Sequence, residues 1–127
     1  MITRHNPKTA PAAFSNYAVA AGAPGAARWI HVSGQVGITP DGVLGEGFEA
    51  QCEQAFRNII AILESAEMGV ENIVKVTVFL TRQEDTPHYR AIRDKVLGGH
   101  LAASTLLVIS GLASPDWLVE IEAVAAG

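Results

Sequence analysis

Basic residues, aromatics and cysteine are all scarce in this chain of 127 residues, and each scarcity closes off a class of function. Nine Lys and Arg stand against thirteen Asp and Glu, giving a net charge of −4, and no basic run occurs. Nucleic-acid binding rests on clustered Lys and Arg that neutralise phosphates, so no nucleic-acid partner is expected. The single cysteine, Cys52, allows no internal disulfide, and no Cys/His cluster has metal-ligand spacing. No metal is expected. No apolar run reaches the ~20 residues of a membrane span, and the opening MITRHNPKTAPAAF lacks the apolar segment of a secretory leader. The expected setting is cytoplasmic, with no membrane partner. There is no GxSxG nucleophile elbow, and GAPGAA lacks the Lys-Ser/Thr ending of a phosphate loop.

The chain is 49% hydrophobic with 17% charged residues, so it can build a core but covers itself thinly with charge. Residues 1–127 are expected to form one domain that hides part of its surface against another subunit. Phe48, Cys52, Phe56, Ile59, Leu63 and Ala66 recur at helical spacing and predict a long amphipathic helix, with Gly69 as its left-handed stop. Cys52 falls inside that stripe and reads as a buried structural thiol. A second helix is expected from Asp85 or Thr86, with Pro87 in its first turn, to Gly98-Gly99. On it, Tyr89 with Arg93 and Arg90 with Asp94 read as surface pairs.

Strands are expected over 15–22, 28–37 and 72–81, with two more in the stretch from Ala103 to Ala125, and residues 1–13 as an extended lead-in. The order is β-β-α-β-α-β-β, with both helices on one sheet face. Alternation places Ile30, Val32 and Val36 on the helix face. It leaves Trp29, His31, Ser33, Gln35, Lys75, Thr77, Phe79, Glu120 and Glu122 on the other. That outer face is too apolar for solvent and too polar for a core, as expected of a subunit contact that leaves polar pockets. Two carboxylates in one strand, Glu120 and Glu122, raise the possibility of a site.

The segments WIHVSGQVG, QCEQAFRNIIAILESAEMGVENIVKVTVFLT, AASTLLVISGL and WLVEIEAVA resemble the reactive intermediate deaminase (Rid, YjgF-like) family over nearly the whole chain. The resemblance implies a chorismate-mutase-like α+β fold, one mixed sheet closed by a hairpin, and a homotrimer with a central barrel and ligand clefts between subunits. It also implies cofactor-free hydrolysis of reactive imines or enamines to oxo compounds and ammonia. Glu120 matches the family glutamate that activates water, and Tyr17 and Ser33 match cleft-lining residues. The family's carboxylate-clamping arginine is absent. Ser104 stands in its place, or Ala103 in the neighbouring register, so the substrate is expected to be non-standard. Ser104 and Thr105 are the candidate ligand-binding hydroxyls, and Arg90 or Arg93 the candidate replacement cations. The alternatives are a non-catalytic trimeric binder of small molecules and, ranked last, the endoribonuclease or translation-inhibitor activity attached to some family members.

Overall fold

Helical spacing of apolar residues produces the longest element. In the computed structural model, which describes residues 1–127, helix α1 spans Phe48–Ser65 and buries Phe48, Cys52, Phe56, Ile59 and Leu63. Its C-terminus departs from expectation. Met68 N–H bonds to the Leu63 carbonyl and Glu67 N–H to that of Glu64, both at 2.9 Å, a Schellman ending. The left-handed residue is therefore Glu67, at φ 58°, while Gly69 is extended. Burying Met68 beneath the turn fixes the stop two residues early. Helix α2, Thr86–Leu97, follows Asp85, carries Pro87 in its first turn, and ends at Gly98 in the left-handed conformation.

The strands are β1 (Thr3–His5), β2 (Ala20–Gly22), β3 (Trp29–Val36), β4 (Ile73–Leu80), β5 (Ala103–Val108) and β6 (Val119–Ala126). The main sheet has the order β3-β6-β4-β5, with β5 parallel to β4 and the other pairs antiparallel. Both helices pack on one face, and the core joins Phe56, Ile59 and Leu63 to Val76, Val78 and Ile121. The fold is the expected α+β arrangement of one mixed sheet and two helices.

Two details differ. β5 and β6 do not form a closing hairpin, because they flank β4 on opposite sides. The crossover through α2 sets β5 parallel on one edge of β4, and β6 fills the other side. At the N-terminus, residues 1–13 contain a strand, and 15–22 are strand only at their end. β1 and β2 form a separate two-stranded sheet, and Ala18 makes a single bridge to Ala103. Polar side chains interrupt the ladder: Asn6 Oδ1 accepts from Val19 N–H at 3.0 Å, and the Tyr17 hydroxyl accepts from Phe14 N–H at 3.1 Å.

Cys52 is fully buried. Burial, reinforced by Glu53, Glu49 and Asp85, pushes its thiol from 9.0 up to about 12. The unfolded chain loses this proton first, so the thiol's contribution to stability is whole below pH 9 and disappears as pH rises toward 12. The melting temperature is expected to fall above pH 9, and the fall to shrink in Cys52→Ala. An equally steep alkaline decline in that variant would contradict this origin.

Candidate functional site

The uncovered face of the sheet is built by register. On it, Glu120 lies opposite Val36 and Phe79, Glu122 opposite Thr77, and Val124 opposite His31 and Lys75. Thr77 in turn lies opposite Thr105, and Lys75 beside Ala103. Directly opposed residues share a face, so these side chains form one surface. Trp29 is 45% and Leu107 44% exposed on it. Exposed apolar side chains set among polar ones on an uncovered face fit a contact with another chain.

β3 departs from simple alternation. A β-bulge between Val32 and Gln35 sets Ser33 and Gly34 together against Glu122 and reverses the faces beyond it. Val36 therefore joins Glu120 on the open face, and Gln35 passes to the helix side opposite Ile121. The bulge also creates a seat for the carboxylate. A Cβ on residue 34 would overlap Glu120 Oε2, so only glycine lets the Glu120 side chain rest there. The Glu120 carboxylate makes no ion pair and no side-chain hydrogen bond within the chain. Its oxygens are free to accept a proton or a water. Ser33 is exposed beside it.

At the other end of this face, Lys75 Nζ donates to Thr105 Oγ1 at 2.7 Å. Lys75 was not among the candidates read from the sequence. Alternation puts it on the open face, but its position beside Ala103 depends on the parallel β4–β5 register, which pattern does not reveal. That register also sets the two candidate positions for the absent arginine on opposite faces. Ala103 faces the Glu120 side, and Ser104, opposite Val76, faces the helices.

Ser104 therefore belongs to a different group. A cavity of about 220 Å³ at the β5 edge gathers Tyr17, Arg90, Arg93 and Ser104, together with Tyr89 and Leu106. The helix pairs differ from expectation. Tyr89 and Arg93 are buried rather than on the surface. Arg93, not Arg90, binds Asp94, with Nε at 3.0 Å and Nη2 at 2.9 Å from Oδ1. Arg93 Nη1 also donates to Ser15 Oγ at 3.3 Å, and its guanidinium lies 5.9 Å from the Tyr89 ring centroid. Tertiary contact with the N-terminal segment pulls Arg93 inward. The candidate residues thus separate into Glu120, Ser33 and Thr105 on the open face and Tyr17, Ser104, Arg90 and Arg93 at the β5 edge.

A mixed sheet with two helices on one face and an unpartnered carboxylate on the other defines a small α+β protein of the chorismate-mutase-like type. The sequence profile of the family described as Endoribonuclease L-PSP matches residues 7–127, and the chain belongs to that family, also known as YjgF/Rid. Over 54 residues it is 52% identical to a RutC family protein of Aquifex aeolicus, an alignment covering 42% of this chain and 43% of that one. It is 33% identical over 118 residues to the mouse 2-iminobutanoate/2-iminopropanoate deaminase, covering 91% of this chain and 84% of the mouse protein. The crystal structure of a Rid-family protein of unknown function from Yersinia pestis superposes with a TM-score of 0.84 at 25% identity, covering 98% and 97% of the two chains.

Proposed function

We propose that this protein hydrolyses a small reactive imine or enamine to the oxo compound and ammonia, in a cleft completed between copies of a homotrimer. The observation that carries the reading is the free Glu120 carboxylate seated over Gly34 on the open face. An enamine tautomerises to its imine, and the C=N carbon accepts water. Glu120 takes a proton from that water as the C–O bond forms. It returns that proton to nitrogen, giving the carbinolamine, then takes the new hydroxyl's proton and passes it to the amino group, so that ammonia leaves as the C–N bond breaks and the carbonyl forms. The mouse relative, a deaminase of 2-imino acids, supports the class of substrate.

Lys75 holds the substrate's anionic end. One of its three N–H donors is engaged by Thr105, and the rest are available to a carboxylate. Within one chain, Glu120 and the Lys75 register position, Val124, are four residues apart on β6. At about 3.3 Å per residue the gap is about 13 Å, too long for one small imino acid to bridge. A neighbouring copy that sets its Glu120 against this chain's Lys75 resolves the mismatch, and the open face, with Trp29 and Leu107 exposed on it, is the surface for that contact. A point-charge ammonium holds a carboxylate less rigidly than a bidentate guanidinium, consistent with a substrate unlike that of arginine-bearing relatives. The endoribonuclease reading has less support, because the net charge is −4 with no basic stripe.

The test is ammonia release from freshly generated 2-aminoacrylate. Lys75→Gln is expected to raise KM by about tenfold to a hundredfold, the value of one charge-assisted hydrogen bond, with kcat little changed. Lys75→Arg is expected to restore KM. Ala103→Arg, which adds the cation on the open face, is expected to raise turnover, and Ser104→Arg to leave it unchanged. Equal KM values in wild type and Lys75→Gln would remove Lys75 from the site. Ligand binding without turnover in any of these proteins would favour a non-catalytic binder.

A further inference from the structure

The connection from α2 to β5 fastens the N-terminal arm, residues 1–22, through a histidine whose protonation its partners fix. His100 Nε2 lies 2.8 Å from the Ile73 carbonyl, which can only accept, so Nε2 carries the proton. Nδ1 lies 2.9 Å from Arg4 Nη2, and a guanidinium can only donate. Nδ1 is therefore the bare acceptor, and this bond exists only for the neutral imidazole. Arg4 also donates from Nε to the Leu101 carbonyl at 2.8 Å, so one planar guanidinium grips two successive residues. A proton on Nδ1 turns the acceptor into a donor facing a donor and sets two cations in contact.

The other charged groups around the ring do not offset this. A cavity of about 250 Å³ at the end of α2 has His100, Arg93 and Asp94 on its wall. Asp94 is the one carboxylate there, and it is engaged: Oδ1 accepts from Arg93 and Oδ2 from Asn16 Nδ2 at 3.1 Å. From β4 the ring meets only a carbonyl, since Lys75, the one charged side chain of that strand, reaches to Thr105. The last carbonyls of α2 favour a cation weakly, and that of Leu97 already accepts from His100 N–H at 3.0 Å. The cavity gives water, and with it protons, a route to the ring.

We propose that His100 is a proton-sensitive latch on the N-terminal arm: the neutral ring holds Arg4, and acidification releases it. The arm's other ties to this region are Ala18 N–H to the Ala102 carbonyl at 2.9 Å, Ser15 to Arg93, and Asn16 to Asp94. None of them involves a histidine, the side chain that changes charge between pH 5 and 8. His5, on β1, is exposed and joins no ion pair. The latch is therefore closed at high pH and opens as pH falls. Opening frees the Leu101 carbonyl and loosens the bond at Ala102 just ahead of β5. It also draws Ser15 and Tyr17 away from the cavity at the β5 edge. A hydrogen bond to a charged group shifts a population about tenfold to a hundredfold, and the exposure of Arg4 places this one at the lower end. The device does not depend on the hydrolysis proposed for the open face.

Hydrogen exchange of the Ala18 amide, followed by NMR on the full chain at pH 8 and pH 5, tests the latch. Its protection relative to the intrinsic exchange rate at each pH is expected to fall about tenfold on acidification, with the amides of β6 unchanged. His100→Asn sets an amide oxygen near the place of Nδ1 and cannot take up a proton. In that variant protection is expected to be the same at both pH values. Arg4→Gln removes the cation from an exposed position and is expected to give the low protection at both. Wild-type protection that does not change with pH would overturn the proposal. So would an equal fall in His100→Asn or in Arg4→Gln, since another group would then carry the response. A parallel loss of protection in β6 would assign the change to unfolding of the whole domain and would equally overturn it.

Discussion

Ammonia release from a 2-imino acid is expected to fall by about 10²–10⁴-fold when Glu120 is replaced by glutamine, with the melting temperature little changed. The range is that of a positioned general base, and glutamine keeps the shape of the side chain while losing its ability to take a proton. Little stability is at stake, because Glu120 makes no ion pair or side-chain hydrogen bond that the substitution would break. The companion variant Gly34→Ala retains the carboxylate but drives it off its seat, since the new Cβ would occupy the place of Oε2. A displacement of about 1 Å at a reacting group can cost about 10²-fold, so Gly34→Ala is expected to lose activity through kcat. Full activity in both variants would take Glu120 out of the reaction. Loss in Glu120→Gln alone would show that the carboxylate acts from more than one position.

The largest loss of stability among polar substitutions is expected at Gln51. This buried amide on α1 uses every group it has for the main chain of distant loops. Its Nε2 donates to the Gly45 carbonyl at 3.2 Å and to that of Asp116 at 3.1 Å, and its Oε1 accepts from Leu118 N–H at 2.8 Å. Gln51→Ala leaves these three backbone groups without their partner and opens a void. At about 1–3 kcal/mol for each buried group left unpaired, discounted for those that water reaches, a loss of about 3–4 kcal/mol is expected in urea unfolding. Gly37, where a Cβ would press on the Gln51 main chain, keeps this part of α1 close to the end of β3. Leu118 immediately precedes β6, so the same clamp sets the start of the strand that carries Glu120. Gln51→Glu is a sharper test, because a carboxylate cannot donate to the two carbonyls. A loss below about 1 kcal/mol in both variants would mean that the loops hold their places unaided.

The helices and β4 were legible because each buries a single stripe, and a stripe leaves its period in the sequence. Phe56, Ile59 and Leu63 at spacings of three and four, and Val74, Val76, Val78 and Leu80 at spacings of two, need nothing from elsewhere in the chain. Alternation failed where the pleat is broken: the bulge at Ser33-Gly34 inserts one residue and reverses Gln35 and Val36. The three-residue strands β1 and β2 are too short to carry a period, and they pair across a long loop. The open-face residues were correctly grouped apart from that reversal, and Glu120 was among them. Lys75, the placement of Ser104 and the burial of Arg93 all depend on which strand or segment is the neighbour. That information resides in tertiary contacts and not in any local pattern.

The strand order has a consequence for synthesis. β6 runs between β3 and β4, yet its residues leave the ribosome after those of every other strand. Until residues 119–126 emerge, β3 and β4 each expose a row of unsatisfied amides and carbonyls, and α1 has only half a sheet to rest on. A nascent chain at that stage is exposed to sticking to its neighbours, and the sheet zips up only once β6 has emerged. Because that same late strand delivers Glu120, an incompletely made or incompletely folded chain lacks the group proposed for catalysis. Under the proposed mechanism, completion of the fold and onset of chemistry are one event.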